Sequence, residues 1–206
     1  MLLNLETLVD KYQMKIQGVL HIGAHFGEEN DIYDKLKIEN RIFFEPLKSN
    51  YKVLQEKLQD KHPSYNVALG NENKNISMYV ETANAGQSSS ILKPSIHLKQ
   101  YPHIQFNTME EVEMFRLDDM KLNLEKFNFI NIDVQGYELE VFKGAIKTLE
   151  NIDFIMSEIN RDEVYENCTK INELTDFLSD FGFDFVEQTW DGGTWGDGFF
   201  IKNKQK

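Results

Sequence analysis

The sequence predicts an α/β protein built on a doubly wound sheet of about seven strands, with the last strand antiparallel. Three observations lead there. Gly18–Glu29, GVLHIGAHFGEE, reads as an apolar strand, a tight turn with glycines at 23 and 27, and a helix start. Beyond it, short apolar runs alternate with helical stretches, the pattern of a parallel sheet with helices on both faces. At the far end, Phe183–Trp190 and Trp195–Lys202 are two strands joined by the short turn DGGT, which connects only antiparallel neighbours.

The elements follow in order. Residues 1–15 carry Leu2, Leu5, Leu8, Val9 and Tyr12 at helical spacing, so an amphipathic helix is expected there. A helix over Glu28–Ile38 would turn Ile32, Leu36 and Tyr33 inward. Arg41–Glu45, RIFFE, is a buried strand ending in an acid before Pro46. Ser49 is placed to cap a helix whose inner face is Tyr51, Leu54 and Leu58. Ser64–Leu69 is a third strand, stopped by Gly70. Residues 71–117 form an excursion over the sheet. Asn75–Glu81 and Glu111–Leu117 make a β pair at its base, and the polar stretch between them is expected to act as a lid. Phe127–Asp133 and Ile152–Glu158 are apolar strands ending in acids, and each is followed by a helix, Tyr137–Leu149 and Ile171–Phe181. Nothing marks a second domain within 1–206.

Composition narrows the partners. With 34 acidic against 22 basic residues, the net charge is −12, which disfavours nucleic acid and anionic membrane surfaces. No apolar run approaches the roughly 20 residues that cross a bilayer. The single cysteine, Cys168, permits no internal disulfide, and a cytoplasmic location is expected.

In open α/β sheets, ligands bind beyond the carboxyl ends of the strands. There the sequence places the glycine turn, Glu45, Asp133 and Glu158. Glu45 lies 22 residues past Gly23, the separation at which an acid reaches the ribose hydroxyls of an adenosine cofactor. The turn is G-A-H-F-G and lacks the third glycine of dinucleotide binders. Glu28 and Glu29 would lie in the first helical turn, where a pyrophosphate needs bare N–H groups. A cationic nucleoside without phosphate suits the turn better, and S-adenosylmethionine meets that description.

Across residues 16–202 the chain resembles the FkbM-type S-adenosylmethionine-dependent methyltransferases. The resemblance lies in VLHIGAHFGEE, FFEPLKSN, NVALG, the serines 88–90, RLDDM, FNFINIDVQGYELEVFKGA, SEIN and WGDGFFIK, with Ile132–Ala145 the most specific stretch. It implies the class I methyltransferase fold and methyl transfer, most often to a hydroxyl of a sugar or other small metabolite. By position it implies that Gly23, Ala24, His25 and Gly27 form the cofactor loop and that Glu45, followed by Pro46, holds the ribose. It also implies that Asn66, Val67 and Ala68 lie along the adenine, and Asp133, Val134 and Gln135 near the methionine end. At His21 the chain departs from the family, where many members have aspartate. The cofactor's ammonium then needs another partner: the imidazole of His21, Asp133 or Glu28.

For an alcohol acceptor the candidate bases are Asp133 and Glu158, with His97 from the lid as a third. Glu158 with Asn160 could instead hold acceptor hydroxyls or a divalent metal. No dedicated metal site is expected. Trp190, Trp195 and Asp197 are placed at the rim, where an indole beside an acid suits a polar ring, and Ser89 is expected to cap a ligand. Two other functions compete: an NAD-dependent oxidoreductase, and a catalytically idle module of the same fold.

Overall fold

The computed structural model describes residues 1–203. Its centre is a seven-stranded sheet made of β1 (Gly18–Ile22), β2 (Asn40–Phe44), β3 (Ser64–Tyr65), β7 (Phe129–Ile132), β8 (Phe154–Asn160), β9 (Phe183–Asp191) and β10 (Trp195–Lys202). The order is β3-β2-β1-β7-β8-β10-β9, with β10 antiparallel to both of its neighbours and the remaining pairs parallel. The expected sheet, with its reversed last strand, is therefore present.

Side chains alternate between faces along each strand, so a strand buried on both sides is apolar throughout. Leu20, Ile22, Ile42, Phe44, Ile130 and Ile132 face one core, against helices α5 (Glu138–Lys143), α6 (Ile146–Leu149) and α7 (Ile171–Asp180). Val19, Phe43, Phe129, Met156 and Phe199 face the other, against α1 (Leu5–Tyr12), α2 (Asn30–Lys35) and α3 (Lys48–Leu58). This double burial fixes the strand tips, and with them the site.

A second sheet has the order β4-β6-β5, formed by β4 (Ala68–Leu69), β5 (Lys74–Val80) and β6 (Thr108–Phe115). The excursion thus has three strands at its base rather than a pair. The third comes from the expected strand 64–69, which breaks at Asn66–Val67: its first half stays with β2 and its second half pairs with β6. Asn66 causes the turn-off, because its amide donates to the carbonyls of Glu45 (2.9 Å) and Pro46 (2.8 Å).

Four other boundaries differ. The helix after the glycine turn is only α2, so Glu28 and Glu29 precede it, and Tyr33 is its fully buried residue. Leu47, not Ser49, occupies the N-cap of α3, and the first free N–H, that of Lys48, donates to Glu110 (3.1 Å). The helix after β7 breaks at Gly144, where a Cβ would lie 1.9 Å from the Gly70 carbonyl oxygen. Asp118 then caps α6 through the N–H groups of Lys147 (2.8 Å) and Thr148 (3.0 Å). Finally, β8 continues two residues past Glu158. The lid stretch contains one short helix, α4 (His97–Gln100).

Candidate active site

The turns after β1 and β7 touch at Gly23. Its φ is +77°, and a Cβ there would lie 1.9 Å from the Asp133 carbonyl oxygen, so no other residue fits. Gly27 (φ +73°) is confined by the Leu54 side chain, 2.7 Å from its virtual Cβ. The N–H groups of Gly23 and Ala24 both reach the Phe44 carbonyl (3.0 and 2.9 Å), which extends the β1–β2 ladder into the turn. The next N–H, of His25, donates to Glu45 Oε2 (2.9 Å), and Leu47 N–H donates to Oε1 (2.9 Å). Glu45 is 4% exposed. Burial raises its pKa to about 7, with the two N–H groups pulling the other way. Beside it, Ile22, Phe44, Pro46, Val67, Ala68 and Val134 line a slot of about 60 Å³. Of the residues expected along the adenine, Val67 and Ala68 line this slot, whereas Asn66 braces the backbone below it.

Both ring nitrogens of His25 face acceptors: Nδ1 is 2.7 Å from Glu28 Oε1, and Nε2 is 3.0 Å from the Ala85 carbonyl oxygen. Each must carry a hydrogen, so the ring is an imidazolium. Burial opposes that charge, but the Glu28 and Ala85 hydrogen bonds outweigh it and raise the pKa. His25 therefore ties the glycine turn to a strap, residues 82–89. The strap is folded around the buried Glu81 carboxylate, which accepts from the N–H groups of Ala83, Asn84 and Gly86. Ser89, expected to cap a ligand, lines the slot but gives its oxygen to Glu81 N–H (2.9 Å).

His21 is buried and held neutral by burial. The Tyr33 oxygen accepts from the Asn131 amide (2.7 Å), so its hydroxyl donates to His21 Nδ1 (3.3 Å). That leaves the proton on Nε2, 3.7 Å from Glu29 Oε2.

Asp133 and Glu158 converge from adjacent strand ends. The Gln135 amide nitrogen donates to both, at 2.7 Å to Asp133 Oδ1 and 2.7 Å to Glu158 Oε2. Gln135 is held in turn: Ser90 Oγ donates to its backbone carbonyl (2.8 Å), and the Tyr165 hydroxyl lies 2.7 Å from its side-chain oxygen and 2.8 Å from the Ser88 carbonyl. Below them the buried Glu138 accepts from Val134 and Gly136 N–H (both 3.1 Å), and burial raises its pKa to about 7. Glu158 is pushed well above the usual carboxylate range, by burial first and by the Asp133 charge second. Sequence reasoning missed Tyr165 and Glu138. Tyr165 lies in a polar loop without periodicity. The glutamate two residues after Gly136 was quoted in the motif without a role.

Above this pair opens a cavity of about 570 Å³, roofed by α4 and the β9–β10 hairpin. Trp195 lines it, and its indole N–H donates to the Tyr101 oxygen (2.9 Å), whose hydroxyl donates to Asp191 (3.1 Å). His97 also lines it, packed among Tyr101, Phe106 and Tyr165, with Nδ1 buried and unpartnered. Three expected rim or acceptor residues are placed elsewhere. Asp197 is buried with its carboxylate on the N–H groups of Leu2 and Leu3, because β10 runs between two strands and points it at the N-terminal segment. Asn160 is buried behind Glu158 (Nδ2 to Oε1, 3.4 Å). Trp190 is stacked under Arg161 at 3.6 Å. Among the described residues, no group of three or more His, Cys, Asp or Glu side chains is spaced to hold a metal ion, and no helix is long and apolar enough to cross a membrane.

Comparison with known proteins agrees with this geometry. The model of the methyltransferase FkbM domain matches residues 21–185. The 2-O-methyltransferase NoeI of Sinorhizobium fredii is 29% identical over 173 residues, covering 79% of this chain and 71% of that protein. Two solved structures share the fold. One is a SAM-dependent methyltransferase from Aquifex aeolicus, with TM-score 0.53 and 12% identity over 96% of this chain and 89% of that one. The other is magnesium protoporphyrin IX methyltransferase from Synechocystis with bound SAM, with TM-score 0.54 and 9% identity over 96% and 76%. A buried acid at the tip of β2, an apolar slot beside it and an acidic cavity beyond suit a nucleoside bearing a sulfonium and an ammonium. The chain belongs to the FkbM methyltransferase domain family, and its cofactor is S-adenosylmethionine.

Proposed function

We propose that this protein methylates a hydroxyl group on a sugar or another small polar acceptor. The observation that carries the reading is the Asp133–Glu158 pair, bridged by Gln135 at the floor of a cavity that Trp195 walls. In this reading Glu45 accepts the ribose hydroxyls, while Ile22, Phe44, Val67 and Val134 enclose the base. Glu28 and Glu29 hold the ammonium in place of the aspartate that His21 replaces. The cofactor, when bound, supplies an electrophilic methyl on a sulfonium.

The carboxyl pair has an unequal division of labour. Burial and the neighbouring Asp133 charge push Glu158 well above the usual carboxylate range, so in this reading Glu158 is the member of the pair that holds the proton they share. Asp133 is then the carboxylate that takes the acceptor's hydroxyl proton as the oxygen is alkylated. Gln135 fixes both acids, Trp195 stacks against the acceptor ring, and the strap with α4 excludes water. The name of the NoeI relative supports oxygen as the atom methylated.

The test is a screen of neutral sugars and glycans with methyl-labelled S-adenosylmethionine, alongside titration with S-adenosylhomocysteine and NAD. Binding of the homocysteine adduct together with base-stable label on an acceptor oxygen is expected. NAD binding without adduct binding would refute the assignment. Adduct binding with no transfer to any acceptor would favour the idle-module reading.

A further inference from the structure

We propose that the acceptor brings no anionic group into the cavity: it is a neutral or amine-bearing sugar already separated from any nucleotide carrier. This rests on the hydroxyl-methylation reading and sharpens its substrate.

The cavity is lined by five carboxyl groups, those of Glu28, Glu29, Asp133, Glu158 and Asp191, by the Met1 α-ammonium, which lies 3.8 Å from Glu29 Oε1, and by no lysine or arginine among the described residues. Arg161 is turned away and stacked over the Trp190 ring. The imidazolium of His25 is answered by Glu28, and burial keeps His21 and His97 neutral. With the Met1 ammonium set against Glu29, the Asp133–Glu158 pair and Asp191 remain, and the single net positive charge of the cofactor does not balance them even with one proton retained by the pair. A phosphate or carboxylate entering here meets carboxylates in a space partly shielded from water, where like charges repel strongly.

The hydrogen-bonding capacity points the same way. On the acceptor side the Asp191 carboxylate can only accept, while the side chains of Asn84, Gln87 and Ser88 both donate and accept. Sugar hydroxyls and ammonium groups donate to that carboxylate; a phosphate dianion has nothing to donate to it. The reaction that supplies the acceptor is therefore one that has already cleaved the sugar from its diphosphate, by glycosyl transfer or by hydrolysis.

The experiment offers labelled S-adenosylmethionine and enzyme three pools: neutral oligosaccharides, their de-acetylated amine-bearing counterparts, and nucleoside-diphosphate sugars. Label should enter the first two pools at least about tenfold faster than the third. In parallel, inorganic phosphate and uridine diphosphate are titrated against the S-adenosylhomocysteine-loaded protein and followed by phosphorus NMR line width. No broadening is expected at millimolar concentration, and Asp191→Lys should introduce it. Labelling of nucleotide sugars at an equal or higher rate, or phosphate broadening with the unaltered protein, overturns the proposal. Label found on nitrogen instead of oxygen would refute hydroxyl methylation while leaving the charge selection standing. If no pool is labelled, the phosphorus spectra decide: broadening with the unaltered protein overturns it, and broadening only with Asp191→Lys supports it.

Discussion

Glu45→Gln separates the cofactor role of this acid from its effect on folding. In the folded protein the Glu45 pKa is about 7, against an ordinary value of 4.5. Between those values the folded state binds the proton more tightly than the unfolded state, so stability falls as pH rises through the window and levels off above it. The shift of 2.5 units corresponds to about 3 kcal/mol of stability present at pH 4.5 and lost by pH 8. Glutamine cannot ionise and should abolish that part of the slope. It also turns a donor toward one of the two N–H groups, His25 or Leu47, that the carboxylate accepts. That change costs about 1.5–3 kcal/mol at every pH. The assay is urea unfolding of cofactor-free protein at several values from pH 5 to pH 8. The unaltered protein should lose about 2.5 kcal/mol more across that range than the variant. Affinity for S-adenosylhomocysteine should rise through pH 7 in the unaltered protein only, because ribose hydroxyls donate to the ionised acid. Equal slopes for the two proteins would refute the reasoning.

Gly23→Ala places a methyl on the Asp133 carbonyl at positive φ, and thermal unfolding should report a loss of about 2–4 kcal/mol. Asp133→Asn should keep S-adenosylhomocysteine binding in calorimetry and lower turnover about 100-fold or more; an active variant removes Asp133 from the role of base. Tyr165→Phe frees the Gln135 amide that steadies the ionised form of the acid pair, so the acidic limb of the pH–rate profile should move up by about one unit. His25→Ala removes the bond from the imidazolium to the Ala85 carbonyl, and S-adenosylhomocysteine should dissociate about tenfold faster in stopped flow.

The sheet was legible because its signals are local. Apolar runs such as FINI and RIFF bury on both faces wherever the chain takes them, and a turn as short as DGGT allows one pairing direction. Glu45 was legible for a related reason: its distance from Gly23 is fixed by one strand–helix–strand unit. What escaped depended on contacts distant in sequence. The glycine at 144, where the helix breaks, is required by the Gly70 carbonyl packed against it, and the loss of Asp197 from the rim arises from Leu2 and Leu3. Neither partner is visible in a local window. Tyr165 escaped because its two contacts, Gln135 and Ser88, come together only when the excursion folds back over the sheet.

The strap around Glu81 has a kinetic consequence. A loop without internal bonds must freeze many torsions each time it closes, and that entropy slows closure and weakens it. The N–H groups of Ala83, Asn84 and Gly86 are held by the carboxylate of Glu81, the residue that leads from β5 into the strap, so this part keeps its order when the strap's other attachments open. Opening then requires breaking only its attachments, such as His25 to Ala85 and Tyr165 to Ser88. The piece swings like a stiff door, and the barrier to cofactor exchange is set by a few latches and not by the length of the loop.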